Sequence, residues 1–542
     1  MRSPFSPMVI DLMHTLLFTN FCTSDMAQYH LGLSTYNDAW NILNMLKDHK
    51  YLKGSNYSRQ LGLGNGFYIN QEGIHFITRE MNIPEYQVIE NKPVQKFDPL
   101  KVISTRNIGH EKSRIEWYYK LVKIYGKDGF TWYLKNYTSL ISTISESKIE
   151  VDSIIRINNR EYFLEVDLGS ENNNDILTKF NNYGKLYKEN YERFSMPPLI
   201  FTVNCTYNNA TVMESLSNIS KDKNLTRLKE ELLQLQKDMR KHNKEVRAFK
   251  NKTQNQLIEE LHELKSALTI LEGQKNKPAT REVTKQINKL EEYIENSSLV
   301  TNDEEFEAIF QRVRVIKKQI NEYKAVITED TIVDKERKRV EVIRTNLLKD
   351  SDGNNVEFLK YAMSDGLDVH IMKNSETYSY FEELNSRTVS CSSIVKQYFS
   401  NHLWEKHMRN ADYNVTAEDE GLSEIFGNML YFKSSVRVTH EGRLSTLFCI
   451  DDLSFGNIGG YYRVERASGI MSGMDDVEIY YILVIDSYEE AEQVISLPHG
   501  NVNFGFILRQ YLSDKNIEET INSMPAWLCK VNQSGQRFSL TY

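Results

Sequence analysis

The 542-residue chain is short of cysteine, of long apolar runs and of net positive charge, and each shortage removes a class of protein. Its five cysteines, Cys22, Cys205, Cys391, Cys449 and Cys529, are scattered, with no CxxC pair and no Cys/His cluster at zinc-ligand spacing. Neither a disulfide framework nor a structural zinc is expected, and the reducing compartment this implies is the cytoplasm. Nowhere do about 18 apolar residues follow one another, so no membrane partner is expected. The apolar segment 8–21 is broken by Asp11 and His14 at the spacing of a helix's polar stripe, which argues against an export signal. No phosphate-binding GxxxxGK[ST] loop occurs: Gly456, Gly459 and Gly460 read as a turn, and Asp451 and Asp452 as loop caps. The formal net charge is -8, so any nucleic-acid contact must come from a local basic surface.

What is present is a globular composition, 40% hydrophobic and 26% charged, over a length that one core rarely organises. The expected fold is multidomain α+β. In residues 1–95, Val9, Leu12, Met13, Leu16 and Leu17 recur at three- and four-residue steps after Ser6-Pro7, a helix. Thr23 or Ser24 can cap a second helix to about His30, and Ala39, Ile42, Leu43 and Leu46 mark a third. Short β-like runs at 51–53 and 66–69 flank a polar loop, and Glu72-Gly73-Ile74 opens a further element. Three helices and a β-ribbon make a winged helix, a DNA-binding domain. Thr35, Tyr36, Asn37 and Asn41 would meet base edges or phosphates from the third helix, while Lys50, Lys53 and Arg59 supply cations in a stretch without acidic residues between Asp48 and Glu72. The same surface also suits a protein partner. A proline-punctuated stretch from Ile83 to Pro99 reads as a linker.

Residues 100–210 change pattern. A helix near 111–125 precedes two β-like runs, 151–156 and 162–167, divided by Asn158-Asn159; a helix over about 175–191 and an apolar strand at 198–203 follow. Segment 345–375 offers another helix and strand that can complete this sheet. Asp152 lies in the first strand and Glu165-x-Asp167 in the next, an order that resembles the restriction-nuclease-like PD-(D/E)XK α/β core. Strand period turns Glu165 and Asp167 to one face, where Asp152 can join them and Glu116 can add a fourth oxygen. Carboxylates so grouped hold a hard divalent cation that activates water against a phosphodiester. Catalytic candidates are therefore Asp152, Glu165, Asp167 and Lys179, and metal candidates Glu116, Asp152, Glu165 and Asp167, with Mg²⁺ or Mn²⁺ needed only if the pocket is active. Where the motif has lysine, two residues after the glutamate, this chain has Asp167; Lys179 on the next helix can swing toward the pocket and replace the missing cation. The alternative is a polar edge with no metal.

A more specific likeness joins these parts: a winged helix, His110, the phrase Phe163-Leu164-Glu165-Val166-Asp167-Leu168-Gly169-Ser170-Glu171, then Lys179 and Tyr183 on a helix. This resembles the replication-relaxation family of plasmids and mobile elements over roughly residues 1–205. The resemblance implies a DNA partner and a role in replication, relaxation or mobilisation.

Residues 215–345 carry heptad spacing: Leu225, Leu228, Leu232, Leu235 and Met239; Leu257, Leu261, Leu264, Leu268 and Leu271; then, after a helix end at Pro278, Val283, Ile287, Leu290 and Ile294, and Ile309, Val313, Ile316, Ile320 and Tyr323. A long coiled-coil arm is expected, either folding back on itself or joining a second copy or another protein. Residues 380–542 alternate strand-like runs (435–438, 444–450, 479–485) with helical stretches such as 488–495, a C-terminal α+β domain without a catalytic motif. Three functions fit: a DNA-binding factor of a mobile element, a metal-dependent DNA nuclease, or a coiled-coil scaffold whose winged helix binds protein.

Overall fold

The computed structural model describes residues 5–19, 21–55, 66–80, 88–89, 92–93, 108–133, 149, 151–190, 196–250, 254–273, 277–296, 304–349, 356–387, 389–407, 412–419, 422–425, 427–471, 474, 476–495, 502–512, 527–531 and 537–539. The protein is mixed α/β and divides into two compact units. Of the described residues, the first unit gathers those up to Val212 and from Thr331 onward, and the second Met213–Asp330. No described helix is long and apolar enough to cross a membrane.

The first unit opens with α1 (Pro7–Thr19), β1 (Phe21–Thr23), α2 (Ser24–Leu31), α3 (Tyr36–Asp48), β2 (Leu52–Ser55), β3 (Gly66–Ile69) and a helix at Gln71–Glu80. Thr23 starts α2 by accepting from Met26 N at 3.3 Å, and Gly32 ends it in the left-handed region, φ +63°, where a side chain would be strained. β3 lies between β1 and β2, antiparallel to both. Leu12, Leu16, Leu43, Leu46 and Phe67 form the core with Ile115 and Tyr119 of the helix Ile108–Tyr125. Most of the expected linker lies outside the described residues; its described part is the small hairpin of β4 (Val88–Ile89) and β5 (Lys92–Pro93).

The first large sheet has the order β10-β9-β8-β7-β6. Its strands are β6 (Thr131–Tyr133), β7 (Ser153–Ile157), β8 (Arg160–Asp167), β9 (Leu199–Val203) and β10 (Val369–Lys373). β6, β7 and β8 are mutually antiparallel neighbours, whereas β8, β9 and β10 run parallel. The β7–β8 turn is Asn158-Asn159, both at positive φ (49° and 63°), the two-residue turn whose twist matches a hairpin. Trp117 and Leu121 of the helix Ile108–Tyr125 cover one face of the sheet, against Ile155, Leu164 and Ile200. The crossover helix Asn173–Asn190 covers the other with Ile176, Phe180 and Tyr183, against Ile154, Phe163 and Phe201.

The second large sheet has the order β11-β14-β15-β16-β17-β18-β19. It is built from β11 (Tyr413–Asp419), β14 (Ser434–His440), β15 (Arg443–Asp452), β16 (Glu478–Ile485), β17 (Val502–Leu508), β18 (Trp527–Val531) and β19 (Arg537–Ser539), with β12 (Leu422–Ile425) and β13 (Asn428–Tyr431) forming a separate hairpin. Its first five strands repeat the first sheet in order and direction. β11, β14 and β15 are antiparallel neighbours, and β15, β16 and β17 are parallel. Here too a two-residue turn at positive φ, Glu441 (49°) and Gly442 (76°), closes the hairpin. The helix Cys391–His407 covers one face, and the crossover helix Gly459–Met471 the other. Gly459 and Gly460, expected in a turn, instead begin that helix.

The two crossover-helix faces share one apolar core, with the short helix Glu357–Ser364 between them. Gly184 is what lets this helix approach so closely: a Cβ there would stand 2.2 Å from Leu359 N. The outer edge of β10 is covered as well, because Ile371 N donates to Gly456 O at 3.1 Å and Ile458 N to Val369 O at 2.9 Å.

The second unit is helical. Gln254–Gly273 packs against Lys277–Asn296, with Leu257, Ile287 and Leu290 buried and Lys265 paired to Glu291 at 2.6 Å. Lys223–Lys250 packs against the first part of a 46-residue helix, Glu304–Lys349, through Leu225, Ile316 and Ile320. Two details correct the heptad reading. Pro278 stands in the first turn of a helix, where its missing N–H costs nothing, and Tyr323, expected in the seam, is exposed.

Candidate functional site

The acidic centre is assembled by the β7–β8 hairpin. Asp152 immediately precedes Ser153, which pairs with Leu164, so Glu165 stands across from it. Glu165 is fully buried, on the face covered by the crossover helix. That helix brings Lys179 Nζ to 2.5 Å from Glu165 Oε2 and 3.9 Å from Asp152 Oδ2. The first is an ion contact off the hydrogen-bond direction. One turn later Tyr183 donates its hydroxyl to Glu165. Asp152 Oδ2 also accepts from Val166 N at 2.9 Å and lies 3.1 Å from His110 Nε2.

The two carboxyls differ in their ease of ionisation. Burial works against charge on Asp152, but Lys179 and His110 outweigh it and hold this carboxyl below the usual range. Burial, then the neighbouring Asp152, push Glu165 well above its ordinary value. Charge at the centre is therefore favoured on Asp152 and disfavoured on Glu165.

Asp167 meets a different cation. Arg339 Nε donates to its Oδ2 at 2.8 Å, and the same guanidinium donates to Glu171 O at 2.6 Å and Asn173 Oδ1 at 3.1 Å. The aspartate at the position where the nuclease motif has lysine has thus acquired its own counterion from 172 residues downstream. Nothing in the local sequence signals Arg339. Glu116, expected as a fourth oxygen of the centre, is a correction: Lys120 Nζ takes Oε1 at 2.8 Å and Asn204 Nδ2 takes Oε2 at 3.3 Å. Among the described residues no group of three or more His, Cys, Asp or Glu stands where it can hold a metal ion.

Comparison with protein families, curated proteins and solved structures finds no match.

The other candidate surface is on α3. Tyr36, Asn37 and Asn41 are exposed together with Trp40, which the sequence pattern alone did not single out although it lies one turn from Tyr36. Thr35, also exposed, caps the helix. Its hydroxyl is committed to the start of α3, accepting from Asp38 N at 3.2 Å and donating to Asp38 Oδ2 at 2.7 Å. Lys50, in the turn after α3, and Lys53, on β2, are both exposed. Arg59 lies outside the described residues.

Proposed function

We propose that this protein binds DNA through its N-terminal helices and three-stranded sheet, used as a winged helix, and serves replication, relaxation or mobilisation of a plasmid or other mobile element. The observation that carries the reading is the exposed α3 surface, where Tyr36, Asn37, Trp40 and Asn41 line one side and Lys50 and Lys53 follow in the adjoining turn and strand. Amide side chains can exchange paired hydrogen bonds with adenine, aromatic rings supply apolar contact, and the lysines meet phosphates. The mobile-element role is supported by the phrase Leu164 to Glu171 with Lys179 and Tyr183.

A divalent-metal-dependent nuclease is the second reading, favoured by two carboxylates, Asp152 and Glu165, set across neighbouring strands. Yet the ammonium of Lys179 already compensates them, and Asp167 and Glu116 have cations of their own. As arranged, these residues do not fit a resident divalent ion, and binding without cleavage is the conclusion.

The test incubates the full chain with supercoiled and linear DNA, with and without Mg²⁺ or Mn²⁺, following mobility and strand breakage. A salt-sensitive shift without breakage is expected. The Lys50→Ala/Lys53→Ala variant should lower the slope of log affinity against log salt by about 2, near 0.9 for each phosphate no longer neutralised. Metal-dependent breakage abolished by Glu165→Gln makes the protein a nuclease, and an unshifted DNA leaves the α3 surface to a protein partner.

A further inference from the structure

The repeat of strand order between the two large sheets extends to the charged residues at their centres. In the first sheet Asp152 precedes the strand whose Ser153 pairs with Leu164, and Glu165 follows Leu164. In the second, Lys433 precedes the strand whose Ser434 pairs with Ile450, and Asp451 follows Ile450. Each carboxylate is met by a cation from the crossover helix that comes next. Lys179 serves Glu165; Arg463 serves Asp451 with Nε to Oδ2 at 2.5 Å and Nη2 to Oδ1 at 2.8 Å. The chemistry differs at the first position, where a lysine replaces an aspartate.

That replacement has a target in the other sheet. Asp368, the residue before β10, is paired with Lys433, lies 3.3 Å from Arg463 Nη2, and accepts from Asn457 Nδ2 at 3.1 Å. Two carboxylates and two cations therefore balance, and the Arg463 side chain is fully buried. Burial opposes charge on Asp368, but Lys433 and Arg463 outweigh it and hold this carboxyl well below the usual range.

We propose that the C-terminal sheet is a second copy of the first, in which the acidic centre has become an ion-pair lock, with Lys433 in the place of Asp152, Asp451 of Glu165 and Arg463 of Lys179, and that this lock fixes β10 through Asp368. The lock is not a ligand site. It is a buried pair network whose bidentate arginine and second cation leave neither carboxylate unbalanced. Fixing β10 matters because it is the edge strand of the first sheet, parallel to β9, and the Phe455–Ile458 segment that covers its outer edge belongs to the second copy. Parallel edge pairing of only five residues is otherwise a weak attachment.

Hydrogen exchange on the full chain tests this, using Lys433→Met, Asp368→Asn and the double variant; the Lys433 side chain is partly exposed, so its loss leaves the core intact. Each single change should speed exchange at residues 369–373 by about tenfold, and the double variant should add little, since both break one pair. Lys179→Met should leave 369–373 unchanged. Titration with Mn²⁺ and with inorganic phosphate should give the same isotherms for wild type and Lys433→Met, flat ones included. Unchanged exchange at 369–373 in both single variants, additive effects in the double, or an isotherm lost with Lys433 would overturn the proposal.

Discussion

The two large sheets place charge on the same scaffold and use it differently. At the first centre two carboxylates, Asp152 and Glu165, face one ammonium, with His110 beside Asp152; the Lys179 side chain is 27% exposed and that of Asp152 12%. At the second, Asp451 and Asp368 face Lys433 and Arg463; the Arg463 and Asp451 side chains have no exposure at all, while Lys433, like Lys179, reaches solvent at 23%. A pair whose cation reaches solvent, as Lys179 does, can exchange a proton, whereas the fully buried Arg463–Asp451 pair can only hold its neighbours in place. The same contrast appears in how the crossovers are built. Between β9 and β10 the chain makes the whole helical second unit, but between β16 and β17, among the described residues, only the helix Tyr488–Ile495.

The largest expected effect comes from breaking the fully buried Arg463–Asp451 pair. Arg463→Met leaves Asp451 and Asp368 buried beside a single lysine and should cost about 3–5 kcal/mol, read as a lowered unfolding midpoint in urea. If the loss is no greater than at the first centre, the two are alike and the contrast fails. Gly184→Ala attacks what both sheets share, since the new methyl meets the Glu357–Ser364 helix backbone; about 1–3 kcal/mol should be lost, with both sheets loosening together in hydrogen exchange. Lys179→Met, which removes a cation whose own side chain is 27% exposed, should cost only about 1 kcal/mol.

A finer comparison uses pH. Each sheet has a glutamate from its last crossover bound to the backbone just past a parallel strand: Glu336 Oε1 accepts from Cys205 N at 3.1 Å, and Glu490 Oε2 from Asp486 N at 2.7 Å. Burial pushes both carboxyls up to about 7 from an ordinary 4.5. The folded state thus retains a proton the unfolded chain has released, so this contribution is complete below pH 4.5 and is lost as pH rises to about 7. Glu336→Gln, which cannot ionise, should flatten the fall in stability across that window. Glu490→Gln should flatten it less, because Glu336 is 2% exposed and Glu490 only half-buried. Equal slopes for wild type and both variants would show that neither glutamate is strained.

Local pattern was enough for many elements. The three- and four-residue steps from Val9 to Leu17 lie in α1, Thr23 caps α2, Asn158-Asn159 turns the first hairpin, and the helix expected at 488–495 is observed there. Each of these follows from neighbours within a turn or two. The candidate centre was half legible: the hairpin pattern brings Asp152 to the strand that carries Glu165, and Lys179 is a cation the next helix can offer. Arg339, Lys433, Arg463 and Asp368 were not legible, because their partners lie 12 to 172 residues away and no spacing rule connects them. One clue was present. Glu165 followed by Lys179 and Asp451 followed by Arg463 are both a strand-end acid with a base on the next helix, and reading them together points to the repeat.

By itself the sequence determined the periodic elements, the turn chemistry and the residue types available for binding, since these depend on side-chain volume, backbone preference and short-range order. Only the tertiary structure decided that Asp167 would meet Arg339, Asp368 would meet Lys433 and Asp451 would meet Arg463, and that two sheets close on one core. Those outcomes depend on distances between segments far apart in the chain, and a charge's role is set by what stands within a few ångströms of it and how much water remains there.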